Sequence, residues 1–196
     1  MSHDYKAGPL ERGPRGGFTR HSGDPHTIVE HYSWTVPGDG TDMARIAKWH
    51  EARNFNGPGY HILVHEDGTR EFGRPLWARG AHVGGHNDRT IGVCWLGGRK
   101  RGSENGHDTR TDAQKRELEA IYSELRAQFP SIKRIVGHRD LTATQCPGYD
   151  VAAARAKKKQ KPAPKDTPPV TRPDPPQNPV SGIRAILAYL RRIFGG

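Results

Sequence analysis

Between residues 157 and 180 the chain places eight prolines among lysines and other polar residues, KKKQKPAPKDTPPVTRPDPPQNPV. Proline lacks a backbone N–H and fixes φ, so this stretch can enter neither a helix interior nor a central strand. It is expected to be a semi-extended linker. Whatever folds into a core must lie before it, closing near residue 155. The apolar content of 33% over 196 residues is low for a chain that is all core, which agrees with a folded part and a long polar tail. The expected organisation is a flexible N-terminal arm over 1–25, a single domain over 26–155, a basic Pro-rich linker over 156–181, and a basic amphipathic helix over 182–196.

The net charge of +10 follows the same division. Residues 155–196 hold ten Lys/Arg against two aspartates, whereas residues 1–25 hold four bases against three acids. The stretch in between is therefore near neutral, and the basic character belongs to the tail. With a near-neutral domain and no interleaved aromatic platform in the tail, nucleic acid is not expected as a partner. Two cysteines cannot build a disulfide framework. The first 25 residues have no apolar signal-peptide core, and no run approaches the roughly 18 apolar residues of a membrane span. A chain made in the cytoplasm is the expectation.

Within 26–155 the periodicity changes several times. Thr27 to Ser33 reads as a short strand, and Thr41 is expected to cap a helix through DMARIAKWHEARN, with Met43, Ile46, Ala47 and Trp49 on its inner side. GYHILVHEDGTREFGR reads as a hairpin turning at Glu66-Asp67-Gly68. TIGVCWLGG reads as a buried strand. Thr111 and Gln114 fit a capping box, and Leu118, Ile121, Tyr122, Leu125 and Phe129 follow at helical spacing until Pro130. KRIVGH is a last buried strand. Strand, helix, hairpin, strand, helix, strand predicts an α/β fold with a single mixed β-sheet flanked by helices.

Three residues of this scheme can be gathered at one end of the sheet. His31 lies at the end of the first strand, His138 at the end of the last, and Cys146 in the loop beyond. Imidazole and thiolate are preferred zinc ligands, and a set of three leaves the fourth position of a tetrahedron for water. Read from these residues alone, a second interpretation stands beside the first: two ordinary histidines and a cysteine acting as a small buried hydrophobe.

Four blocks, HYSWT, WHEARNFNGPGYHILVHEDGTREFGR, GAHVGGHNDRTIGVCWLGG and VGHRDLTATQCPGYD, taken in order and spacing, resemble the zinc-dependent N-acetylmuramoyl-L-alanine amidases. The likeness runs over about residues 26–155. It is nearest to the amidase-type phage lysozymes and more distant to the peptidoglycan recognition proteins. It implies one Zn2+ per domain on His31, His138 and Cys146, and hydrolysis of the amide between the lactyl group of N-acetylmuramic acid and L-alanine. Tyr60 matches the family's active-site tyrosine. Thr144 stands where many phage lysozymes carry lysine, so a hydroxyl without a charge is expected beside the scissile carbonyl. His61, His82 and Asn87 fall in matching blocks and are expected to bind substrate or brace its groove. Cys94 occupies the place of a glutamate in the recycling amidases, which favours the phage-type subgroup.

The resemblance thus implies a monomeric phage endolysin that acts on peptidoglycan after release from the host cytoplasm. A bacterial recycling or remodelling amidase and a non-catalytic peptidoglycan-binding module are the alternatives. In the tail, Ile183, Ile186, Leu187, Leu190, Ile193 and Phe194 make one apolar stripe with Arg184, Arg191 and Arg192 mostly off it. Such a helix is expected to meet anionic membrane or lipopolysaccharide, or else to dock on the protein itself.

Overall fold

The computed structural model describes residues 3–160, with side chains through Lys157. A helix over Val151–Gln160 enters the stretch expected as linker from residue 156; the rest of that linker and the helix expected over 182–196 lie outside the described residues. The elements run β1 (Thr27–Tyr32), α1 (Met43–Glu51), β2 (Ile62–Val64), β3 (Arg70–Phe72), β4 (Thr90–Trp95), α2 (Asp112–Gln128), β5 (Arg134–Gly137) and α3 (Val151–Gln160), with a short 3-10 turn at His138–Asp140 before the last helix. One five-stranded sheet has the order β3-β2-β4-β1-β5. Only the β2–β3 hairpin is antiparallel; β1 pairs in parallel with both β4 and β5. This is the mixed sheet that the order of elements predicts.

Both faces of the sheet are covered, so its central strands are buried throughout. Side chains alternate across a strand. Ile28 and Tyr32 of β1 and Ile91, Val93 and Trp95 of β4 join Leu118, Ile121, Tyr122 and Leu125 of α2 in one cluster. Leu63 and Cys94 pack on the other face with Met43 and Ile46 of α1. His31 lies opposite Cys94 in the β1–β4 register, which puts it on the α1 face, while its neighbour Glu30 looks towards α2.

The capping box at α2 is present, with Thr111 and Gln114 bonding each other's backbone reciprocally. The cap of α1 is Asp42 rather than Thr41: its carboxylate accepts from the Arg45 N–H at 2.7 Å. The inner face of that helix also differs from the expected one. Met43, Ile46, Ala47 and His50 are buried, while Trp49 is 41% exposed with the Arg45 guanidinium over its ring. A 3.6-residue period carries 43, 46, 47 and 50 on one stripe and leaves 49 off it.

The N-terminal arm is not loose over its described residues. The Phe72 N–H donates to Tyr5 O and the Leu10 N–H to Gly73 O, so the arm covers the free edge of β3. Further on, the Arg79 N–H donates to Thr19 O, and Ser22 bonds the Asp88 carboxylate at 2.5 Å. Tyr5 packs against the α1-side cluster and Phe18 meets Trp77 edge-on. These anchors are single and widely spaced, so no periodic pattern marks them in the sequence.

Candidate metal centre

His31, His138 and Cys146 come together as the sequence predicts, with one ligand atom of each within 4.8 Å of the others. β1 delivers His31 and the end of β5 delivers His138. The loop after the 3-10 turn is folded back by a 2.7 Å bond from the Arg139 N–H to Cys146 O, which brings the thiol home. The His31 Nδ1 to Cys146 Sγ distance is 3.7 Å. A tetrahedral zinc with bonds of about 2.3 Å to sulfur and about 2.0–2.1 Å to nitrogen would set that pair roughly 3.6 Å apart. The donor chemistry and spacing fit the ion.

The protonation states fit as well. Burial, followed by the neighbouring histidines, holds His31 well below the ordinary imidazole value, and burial lowers His138 too. Both rings are neutral near pH 7, the form that coordinates metal. Burial pushes the Cys146 thiol up to about 12, against a lowering contribution from the Tyr32 N–H, which donates to the sulfur at 3.4 Å. A buried thiol of that kind stays protonated until a cation displaces its proton.

Outside these three, His82 holds the orientation of His31. With His31 Nδ1 turned to the thiol, Nε2 carries the proton and donates to His82 Nδ1 at 3.0 Å. His82 Nε2 then faces Thr90 Oγ1 at 3.4 Å, and Thr90 donates onward to His86 O at 2.7 Å. Every group in this chain has one direction open to it, so the His31 tautomer is fixed. Room for the His82 ring comes from two glycines: a Cβ on Gly80 or Gly92 would lie 2.3 or 2.6 Å from it.

The residues expected to touch substrate therefore divide. His61 is fully buried, with Nε2 at 2.9 Å from Ala78 O and Nδ1 accepting from the Gly92 N–H at 2.9 Å. Both ring nitrogens are spent on backbone, so it braces the sheet and has nothing left for a ligand. His82 is likewise buried and serves His31. Asn87 Oδ1 accepts from the His82 and Val83 N–H groups and clamps the loop that carries His82. Tyr60, just before β2, packs its ring on His31 at 5.1 Å and on His50 at 5.3 Å. Burial, then Cys94 and Cys146 nearby, push its phenol well above the usual value, so it is a proton donor at neutral pH. Thr144 Oγ1 accepts from the Cys146 N–H at 3.2 Å, which leaves its own proton free to donate.

Sequence reasoning missed His50. Its Nδ1 accepts from the Gly59 N–H at 2.8 Å, and its ring backs Tyr60. The helical stripe of α1 marks position 50 as buried and was the available signal.

The comparisons agree with this geometry. The family model described as N-acetylmuramoyl-L-alanine amidase matches residues 21–149. The endolysin of Klebsiella phage KP32 is 32% identical over 124 residues, 63% of this chain and 81% of that protein. The endolysin of Escherichia phage T7 is 31% identical over 125 residues, with the same shares. Among solved structures, the N-acetylmuramoyl-L-alanine amidase LysC from Clostridium intestinale superposes with a TM-score of 0.59 at 28% identity, covering 73% of this chain and 93% of that one. Drosophila PGRP-LB, at 20% identity, covers 77% of this chain and 91% of its own with a TM-score of 0.60, and shares the fold. With a family match across most of the chain and a His-His-Cys cluster at the end of the sheet, the chain belongs to the N-acetylmuramoyl-L-alanine amidase family.

Proposed function

We propose that this amidase acts as a phage endolysin. Held on His31, His138 and Cys146, a zinc ion would serve the cleavage of the N-acetylmuramoyl–L-alanine bond of peptidoglycan. The observation that carries the reading is the meeting of those three ligand atoms within 4.8 Å, two neutral imidazoles and one thiol, in a family of amidases. Its similarity to phage endolysins at about a third identity supports the lytic role.

Zinc in that position supplies Lewis-acid polarisation of the lactyl carbonyl and a water of lowered pKa. The chain's own residues do the rest. His82 holds the His31 ring with its lone pair towards the ligand set. The Tyr32 N–H steadies the Cys146 sulfur. Tyr60, protonated at working pH, donates to the oxygen on which charge develops. Thr144 offers a second, neutral donor from the loop of Cys146. The leaving amine needs a proton, and neither His61 nor His82 has a free nitrogen to give it.

The tail adds a second part to the proposal. The sequence of residues 182–196 is basic with an apolar stripe at helical spacing and follows a Pro-rich stretch, a pattern that supports binding of anionic lipid or lipopolysaccharide. It is too short to span a bilayer. Elemental analysis tests the metal reading: one zinc per chain is expected in the purified protein, lost in Cys146→Ser. A wild-type protein that takes up no zinc after dialysis against it would overturn the reading.

A further inference from the structure

On the sheet face opposite His31 lies a buried polar knot that the amidase reaction does not call for. Glu30, next to His31 in β1, is 1% exposed. Its Oε1 accepts from the Tyr149 hydroxyl at 2.5 Å and lies 3.4 Å from Arg110 Nη1, and its Oε2 accepts from the Tyr122 hydroxyl. Arg110 also donates to the Tyr149 hydroxyl, lies 3.6 Å over the Tyr149 ring centre, and is gripped by the Asp108 carboxylate at 2.8 and 2.9 Å. A buried carboxylate is tolerated only when its oxygens are met in this way, and replacing such a knot by packed apolar side chains costs nothing in general. Stability alone therefore does not account for it.

Its connectivity does. Tyr149 is three residues after Cys146, and Glu30 is one before His31. The loop between Cys146 and Tyr149 is pressed against the segment that carries Asp108 and Arg110: a Cβ on Gly148, whose φ is +85°, would lie 2.6 Å from the His107 backbone. The Gly106 N–H in turn bonds the Gln145 side chain at 2.5 Å. The Cys146 loop is thus held to the 106–110 segment through Gln145 and Gly148, and to the His31 strand through the Tyr149–Glu30 bond and the Tyr32 N–H on the Cys146 sulfur.

We propose that the Glu30–Tyr149–Arg110 knot is a positioning device for the metal centre: it fixes the Cys146 loop against β1 so that thiol and imidazole stand at metal-binding distance before the ion arrives. This rests on the metal reading above. Tyr149, Glu30 and Arg110 are positioning residues and touch neither substrate nor ion.

The test uses two variants that each remove one hydroxyl from the same carboxylate. Tyr149→Phe cuts the tie to the Cys146 loop, and Tyr122→Phe cuts the tie to α2, which carries no ligand. Full-length protein is stripped of metal and its Zn2+ affinity is measured by chelator competition, with Co2+ spectra as a second readout. Tyr149→Phe is expected to weaken zinc by about 10-fold, within the range seen when partners of metal ligands are lost, and to alter the thiolate-to-cobalt absorption. Tyr122→Phe is expected to lower thermal stability but leave affinity within about twofold. Equal loss in both variants, or no loss in Tyr149→Phe, overturns the proposal. Should Tyr149→Phe not fold, Glu30→Gln replaces the charged acceptor of the Tyr149 hydroxyl by a neutral amide, and a weaker zinc affinity is expected of it too. A wild-type protein that binds neither Zn2+ nor Co2+ would remove the metal reading itself, an outcome separate from equal behaviour of the variants.

Discussion

His31 Nε2 lies 3.0 Å from His82 Nδ1, and this one bond decides which nitrogen of His31 faces Cys146. His82→Phe keeps a ring in the space cleared by Gly80 and Gly92 but removes the acceptor. The buried His31 N–H is then unsatisfied, at a cost of about 1–3 kcal/mol, and the ring is free to flip. Zinc affinity in competition with a chelator is expected to drop ~10- to 100-fold. Unchanged affinity would show that the tautomer is held by something other than His82.

Tyr60 packs its ring on His31, 5.1 Å between ring centres. Tyr60→Phe is expected to lower kcat on peptidoglycan by ~100-fold or more, the scale of losing one oxyanion donor, while zinc content stays at one per chain. A variant with normal kcat would reduce Tyr60 to a packing residue.

The interior histidines predict acid lability. Burial lowers His50 to about 4 and His61 to about 3, and His21, His31, His82 and His138 are shifted in the same direction. Well above the ordinary value of 6.5 these groups are unprotonated in both states and contribute nothing to the pH dependence. Below the ordinary value of 6.5 the unfolded chain takes up protons that the fold refuses, so stability falls with pH down to about 4 for His50 and about 3 for His61. Glu30 and His65, both raised, act in the opposite sense but are two groups against six. The urea midpoint of the metal-free protein should fall steadily between pH 7 and pH 5. A flat midpoint across that range would contradict the burial of these rings.

For the tail, removal of residues 182–196 is expected to abolish sedimentation with anionic liposomes while leaving hydrolysis of soluble peptidoglycan fragments intact. Equal sedimentation of the shortened protein would assign the binding elsewhere.

Much of this was legible in the sequence because its signals are local. The capping box at Thr111, the short apolar run of TIGVCW and the stop at Pro130 each report on a few neighbouring residues, and the order of elements then restricts the sheet. The ligand triad was legible through the likeness of four sequence blocks to the zinc amidases, since His31, His138 and Cys146 by themselves read equally as two ordinary histidines and a small buried cysteine. The parts that escaped depend on contacts across the fold. Nothing local distinguishes His82, which bonds His31, from a histidine that meets substrate; 51 positions separate the two. The N-terminal arm reads as loose because its hold on β3 is backbone to backbone and leaves no side-chain pattern. Trp49 was placed inward for its hydrophobicity, although the helical period puts His50 there instead.

The most direct test of the central claim is digestion of purified peptidoglycan followed by mass spectrometry of the new amino termini, with and without chelator, beside Cys146→Ser. Free L-alanine amino termini that require both zinc and Cys146 are predicted. Peptidoglycan that remains intact yet still pulls down the wild-type protein would contradict the account and leave a wall-binding module in place of an enzyme.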